Sequence, residues 1–321
     1  EKPAWEVLQK WSKTSEDFAH YSFRNACGFS PHPNEEQFKK WAATIRCSLT
    51  DLFPSIHRKD IELLDLSVSS TWIGHQADFN NIDLFQYKLD QIQKERPTKI
   101  ISGGYLEPRP LYTSNTYDKI GNSGPESRTT HLGIDFWLPT NTPVHALFDG
   151  EIALAVNDYG NKEYGGLVVL KHKEKNIEFY TLYGHLDPES ILHYKKGDLI
   201  QKEQKIGVLG DQTVNGNWAP HLHFQIMLSL LDYTTDFPGV AYANQIDVWK
   251  SICVDPNALF CIKNLHTKKS ASNKELIGYR KQHLGKGLSL QYKEPIQMVR
   301  GEGAYLLDQF GRKYLDTVNN V

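Results

Sequence analysis

Between residues 141 and 226 the chain repeats short apolar runs separated by turn residues. That spacing predicts an antiparallel β architecture. Gly165-Gly166 precedes the run Leu167 to Leu170, and Lys175-Asn176 separates it from Ile177 to Tyr183. The reading is strand, turn, strand, ending at His185. Asp149-Gly150 lies between alternating apolar stretches and predicts a hairpin. Residues 195 to 198 read as a turn before a strand, with a further strand from Lys205 to Gly210.

The first hundred residues have a helical period instead. Phe38, Trp41, Ala42, Ile45, Leu49 and Leu52 fall on one helical face, with Asn34 as the expected cap and Glu35 and Glu36 in the first turn. This predicts one amphipathic helix ending near Phe53-Pro54. Residues 15 to 28 read as an earlier helix closed by Gly28, and Trp5, Leu8 and Trp11 as a shorter one before it. Ile61 to Val68 reads as a strand. Residues 101 to 130 are rich in Gly, Pro, Ser and Thr and read as a loop, either a plain linker or a lid. The expected class is α+β, with a helical region at 1–100, a mainly antiparallel β domain at 101–262 and a short α/β stub at 263–321.

Composition narrows the classes. The chain has 321 residues, 40% of them hydrophobic and 12% aromatic, enough for buried cores. A formal charge of −2 gives no basic excess for a phosphate backbone, so a nucleic-acid partner is not expected. Lys162, Lys171, Lys173 and Lys175 read as a solvated hairpin. No apolar run approaches the roughly 20 residues of a membrane span, and Glu1 to Trp5 carry neither an initiator Met nor a signal-peptide core. We therefore expect a piece of a longer protein. The four cysteines form no Cys-x-x-Cys pair and are expected to be reduced thiols, with Cys253 and Cys261 bridged only in an oxidising compartment.

Chemistry concentrates in three segments: His131-Leu-Gly-Ile-Asp135, Tyr183-Gly-His185-Leu, and Pro220-His221-Leu-His223. Side chains alternate along a strand, so His131 with Asp135, and His221 with His223, are expected to share a face. Catalytic zinc takes three imidazole or carboxylate ligands and keeps a position for water, which leaves two imidazoles for proton work. Gly133 between the first two groups avoids a side chain that would crowd the metal. Pro220, without a ladder donor, predicts that the His-x-His segment starts a strand or lies at an edge.

In order and flanking residues, His-x-Gly-x-Asp, Tyr-x-His-Leu and His-Leu-His-Phe resemble the lysostaphin-type zinc endopeptidases, peptidase family M23, from about Arg128 to Ile226. The resemblance implies a β domain of the duplicated hybrid type and one zinc ion held by His131, Asp135 and His223. It further implies His221 as general base, His185 as oxyanion stabiliser or water holder, and a peptide or amide substrate. Ala219-Pro220 stands where the family usually has a small residue or Gly, which bears on the cleft wall and leaves the ligands intact. The hairpins also resemble biotinyl and lipoyl carrier domains, but no Lys stands at the Asp149-Gly150 turn.

The stretch from Tyr279 to Val321 resembles the opening of class III aminotransferases, whose pyridoxal phosphate Lys lies further downstream. Residues 23 to 29 resemble the connector before the M23 module of large bacterial proteins that join a kinase-like, a peptidase-like and an aminotransferase domain. The resemblance implies pyridoxal phosphate only in the full-length parent, contacts with its remaining domains and a homodimer through the aminotransferase. It leaves two readings open: a working hydrolase, or a non-catalytic zinc scaffold. A cytoplasmic location is expected, or an extracellular one if the substrate is peptidoglycan. Apolar residues of the stub, such as Tyr305, Leu306, Leu307, Tyr314 and Leu315, are expected to be exposed and mobile without the missing body.

Overall fold

The paired apolar runs of the central region build the sheet that carries the site. The computed structural model describes residues 31–58, 60–112, 117–121, 124–265, 271–285, 287, 290 and 295–317. The two helices expected before residue 29, and the connector-like segment, lie outside the described residues.

The amphipathic segment after Pro33 forms two helices, α1 (Glu35–Ala42) and α2 (Leu49–Leu52), rather than one. Ser48 starts α2 with a capping box, its hydroxyl accepting from the Asp51 N–H while the Asp51 carboxylate accepts from the Ser48 N–H. Asn34 occupies the cap position of α1, but its side chain makes no capping bond. Phe38 and Trp41 still face inward, packing on Phe179 with ring centroids 5.2 and 5.0 Å away. The chain continues through β1 (Asp60–Leu63), α3 (Gln76–Asn80) and α4 (Ile82–Glu95) to β2 (Lys99–Gly103).

β1 and β2 pair in parallel, and β2 then pairs antiparallel with a strand of the central region. Residue 100, the expected domain boundary, is therefore inside a strand of the main sheet, and residues 101–103 are sheet rather than loop. Long-range pairing, invisible to local composition, is the reason. A hairpin follows, β3 (Asp118–Gly121) and β4 (Gly124–His131), then β5 (Ile134–Trp137), β6 (Pro143–His145), β7 (Gly150–Asp158), β8 (Gly165–Glu174) and β9 (Ile177–Leu186). A one-turn helix, α5 (Pro188–Ile191), leads to β10 (Leu199–Ile200), β11 (Lys205–Val208), β12 (His221–Met227) and β13 (Val240–Tyr242). α6 (Ile246–Ile252), β14 (Cys253–Val254) and α7 (Asn257–Phe260) complete this part.

The large sheet runs β1-β2-β5-β12-β9-β8-β7-β10, with β14 added to the end of β12. β8 and β9 form the hairpin expected at Lys175-Asn176. Asp149-Gly150 does not close a hairpin: β6 pairs with β11 and β7 with β8 and β10, so here the chain passes from one sheet to another. β12 is central and begins at His221, directly after Pro220, as a donor-less residue at a strand start allows. Leu222, Phe224 and Ile226 point from it into the main core. The opposite face is left to His221 and His223.

Beyond residue 270, α8 (Asn273–His283) precedes an antiparallel meander, β15 (Met298–Glu302), β16 (Tyr305–Asp308) and β17 (Lys313–Leu315). Tyr305 and Leu315 are exposed as expected, but Leu307 is buried. The meander is anchored: the Arg300 guanidinium donates to the carbonyls of Val68, Ser70, Ile73 and Gly74, and Glu302 accepts from the Gln76 N–H. Cys47, Cys253 and Cys261 are free thiols, so Cys253 and Cys261 are not bridged. Among the described residues no helix is long and apolar enough to cross a membrane.

Candidate metal centre

The five residues singled out by the sequence meet in one cavity of about 290 Å³. His131 and Asp135 do not share a strand. β4 ends at His131, where it pairs with β13, and β5 begins at Ile134, where it pairs with β12. The two residues between them carry the chain from one sheet to the other, and the two side chains converge across that seam. A Cβ on Gly133 would lie 2.8 Å from His223 ring atoms and 2.6 Å from the Phe224 carbonyl oxygen, so the crossing needs glycine.

His131 Nε2 lies 2.9 Å from His223 Nδ1 and 3.2 Å from Asp135 Oδ1, and His223 Nδ1 lies 3.2 Å from the same oxygen. The edges of a tetrahedron with metal bonds of ~2.0–2.1 Å are roughly 3.3 Å, so this donor set fits zinc in size and in chemistry. The remaining imidazole nitrogens are held. His131 Nδ1 is 2.9 Å from the Gly104 carbonyl, and His223 Nε2 is 3.0 Å from Gln225 Oε1. Partners of this kind fix the ring orientation of metal-binding histidines.

His185 and His221 stand beside the triad, their rings 4.2 Å apart. His221 Nδ1 is 2.7 Å from the Ala219 carbonyl, and His185 Nδ1 is 2.9 Å from the Asn215 carbonyl. A carbonyl only accepts, so in each neutral ring Nδ1 carries the proton and Nε2 keeps its lone pair. His221 Nε2 lies 3.8 Å from Asp135 Oδ1, and its ring stacks on Trp137. Burial lowers the pKa of His131 and His221 to about 4 and that of His185 well below its usual value. These rings are neutral at neutral pH, the form in which imidazole binds metal or accepts a proton.

The sequence reading missed the charge behind Asp135. Arg109, fully within the protein, donates from Nη1 to Asp135 Oδ2 at 2.6 Å and from Nε to Glu107 Oε2 at 2.7 Å. Burial opposes ionisation of Asp135, but the His131 ring and the Arg109 guanidinium outweigh it and hold the carboxyl well below its usual range. Glu107 in turn accepts from the Leu66 N–H. The one signal in the sequence was the pair Glu107-Pro-Arg109 between Leu106 and Leu111, two opposite charges in an apolar setting.

Residues 129–233 match the model of peptidase family M23. It is 34% identical over 125 residues to the glycyl-glycine endopeptidase ALE-1 of Staphylococcus capitis, covering 38% of this chain and 32% of that protein. It is 33% identical over 105 residues to lysostaphin of Staphylococcus simulans, covering 33% of this chain and 20% of that one. A separate match, 42% identical over 59 residues, is to an alanine–glyoxylate aminotransferase 2-like protein of Drosophila melanogaster, covering 18% of this chain and 12% of that one. The chain thus spans a third or less of each of these relatives. Among solved structures, the catalytic domain of lysostaphin from Staphylococcus simulans aligns at 28% identity with a TM-score of 0.26, over 38% of this chain and 80% of that one.

Proposed function

We propose that this chain is a zinc-dependent peptide or amide hydrolase, with the metal held by His131 Nε2, Asp135 Oδ1 and His223 Nδ1. The observation that carries the reading is the pair of neutral imidazoles, His185 and His221, left beside a complete three-donor set. A purely structural zinc site is closed by four protein ligands. When bound, zinc supplies Lewis acidity that makes water a nucleophile near neutral pH.

The protein's own groups do the rest. His221 Nε2 accepts a proton from the attacking water and returns it to the leaving nitrogen as the C–N bond breaks. His185 Nε2, bare in this tautomer, accepts a hydrogen bond from that water and holds it in line. Donation to an oxyanion would need a second proton, which burial disfavours. Arg109 keeps Asp135 ionised and aimed.

We further propose that residues 263–321 belong to the N-terminal segment of a class III aminotransferase domain, a reading supported by the 59-residue match. Pyridoxal phosphate belongs to that domain. The test of the hydrolase reading is metal analysis of the purified chain combined with a panel of glycine-rich and D-amino-acid-containing peptides. About one zinc per chain with cleavage of at least one peptide is expected; zinc without any cleavage would leave the scaffold reading.

A further inference from the structure

Lys162, read from the sequence as part of a solvated hairpin, is only 5% exposed and lines the same cavity as the histidines. Its backbone is left-handed, φ 68°, a conformation unfavourable for a side chain of this size. Neighbours hold it there. The Lys162 N–H donates to the Gly216 carbonyl at 2.7 Å, and the Tyr117 hydroxyl donates to the Lys162 carbonyl. Gly216 itself has φ 86°, and a Cβ there would run into the Glu163 backbone. Such a conformation persists only where the surrounding structure over-determines it.

The ammonium is placed as deliberately as the backbone. Nζ donates to the Asn217 carbonyl at 2.9 Å and sits 3.9 Å over the Trp218 ring. That indole is 6.1 Å from the His185 ring and 6.4 Å from the His221 ring. Asp158 and Asp236 also line the cavity, yet neither contributes to the electrostatics of Lys162, on which burial alone acts. Burial, with no acid compensating it, lowers the lysine to about 8. A buried cation without a counter-anion is costly, and a ligand anion would relieve that cost.

We propose that Lys162 is a specificity residue that binds a carboxylate of the substrate, within about three extended residues of the scissile bond at ~3.4 Å each. The carboxylate is either the free C-terminus of a short peptide or an acidic side chain. The proposal rests on the hydrolase reading for its reaction, but the recognition step stands on the geometry of Lys162 alone.

The experiment measures both binding and cleavage with the zinc-loaded full chain. Matched peptides differ only in a C-terminal acid or amide, and in a Glu or Gln side chain near the cleaved bond. Calorimetry gives binding, and product formation gives kcat and KM. We expect the wild type to favour one carboxylate partner by roughly tenfold or more, chiefly in KM, as for a charge-assisted hydrogen bond. Lys162→Met should bring that ratio close to one, and Lys162→Arg should keep its direction. Each ratio is internal to one protein, so partial misfolding of a variant cancels. Equal handling of both pairs by the wild type, or an unchanged ratio in Lys162→Met, overturns the proposal. Acid-selective binding without cleavage of any peptide would instead remove the hydrolase reading and leave the carboxylate site standing.

Discussion

The Arg109 guanidinium binds the oxygen of Asp135 that faces away from the imidazoles, leaving Oδ1 to His131 and His223. One carboxylate thus joins a buried cation to the rings of His131 and His223. Arg109→Leu leaves the carboxylates of Asp135 and Glu107 buried without their cation, and breaking such a pair costs about 3–5 kcal/mol. Urea denaturation should show a loss of that order, together with weaker zinc binding. A change under about 1 kcal/mol would contradict the role given to Arg109.

The donor set predicts the metal content of variants. His223→Ala and Asp135→Ala should each lose zinc, measured by metal analysis after dialysis, because a three-donor site tolerates no deletion well. In the wild type, zinc should raise Tm, since it ties together residues of two sheets and binds only the folded chain. Full zinc occupancy in both variants would remove this ligand assignment.

On the proposed roles, proton transfer separates from metal binding at His221. His221→Ala should retain zinc while hydrolysis falls by roughly 10² or more, the usual contribution of a general base. Should His221→Ala lose the metal while His223→Ala keeps it, the two roles are exchanged.

His172 supplies a pH dependence remote from the metal. Its Nδ1 is 2.8 Å from the Asp149 carbonyl and its Nε2 is 2.7 Å from Thr181 Oγ1, and burial lowers its pKa to about 4. The unfolded chain, with an ordinary histidine pKa near 6.5, binds the proton first as pH falls. Stability from His172 is therefore complete above about pH 6.5, lost as pH drops toward 4, and level below that. The loss is about 2 kcal/mol by pH 5. Compared in chelator at pH 7 and pH 5, His172→Gln should lose less stability than the wild type over this interval. Parallel losses in the two proteins would refute the assignment.

The C-terminal meander depends on one side chain for much of its anchorage. Arg300→Ala removes four carbonyl contacts and should make residues 295–317 cleave faster in limited proteolysis. Zinc content should be unaffected. Equal cleavage rates would mean that Leu307 and its neighbours hold the meander unaided.

Local pattern was legible wherever neighbours in sequence are neighbours in space. The Lys175-Asn176 turn, the strand starting at His221 and the shared face of His221 and His223 follow from periodicity and proline chemistry alone. The pattern failed where distant strands decide. Asp149-Gly150 has a hairpin's residues, but its flanking runs find partners in different sheets. His131 and Asp135 looked like one strand because four residues of alternation cannot reveal that the first pairs with Val240 and the second with His223. Ile100 and Ile101 were hidden by the glycines and prolines that follow them.

The site residues themselves stood out because His131, Asp135, His185, His221 and His223 fall in three short segments whose combination says more than any one of them. Arg109 and Lys162 did not, since a charge is read as solvated until its surroundings are known. Burial converts the first into a brace for Asp135 and the second into a cation facing the cleft.

The pairing of β2 with β5 sets the smallest piece of this chain that can behave well by itself. A cut at residue 128, just ahead of the matched M23 region, would strip β5 of its neighbour along Ile101, Ser102 and Gly103 and would discard Arg109 as well. The resulting edge would present unpaired backbone groups beside Asp135, an invitation to intermolecular strand addition. A version that keeps β1 and β2 keeps that edge covered, so aggregation of shorter versions would reflect a lost neighbour rather than a defective site.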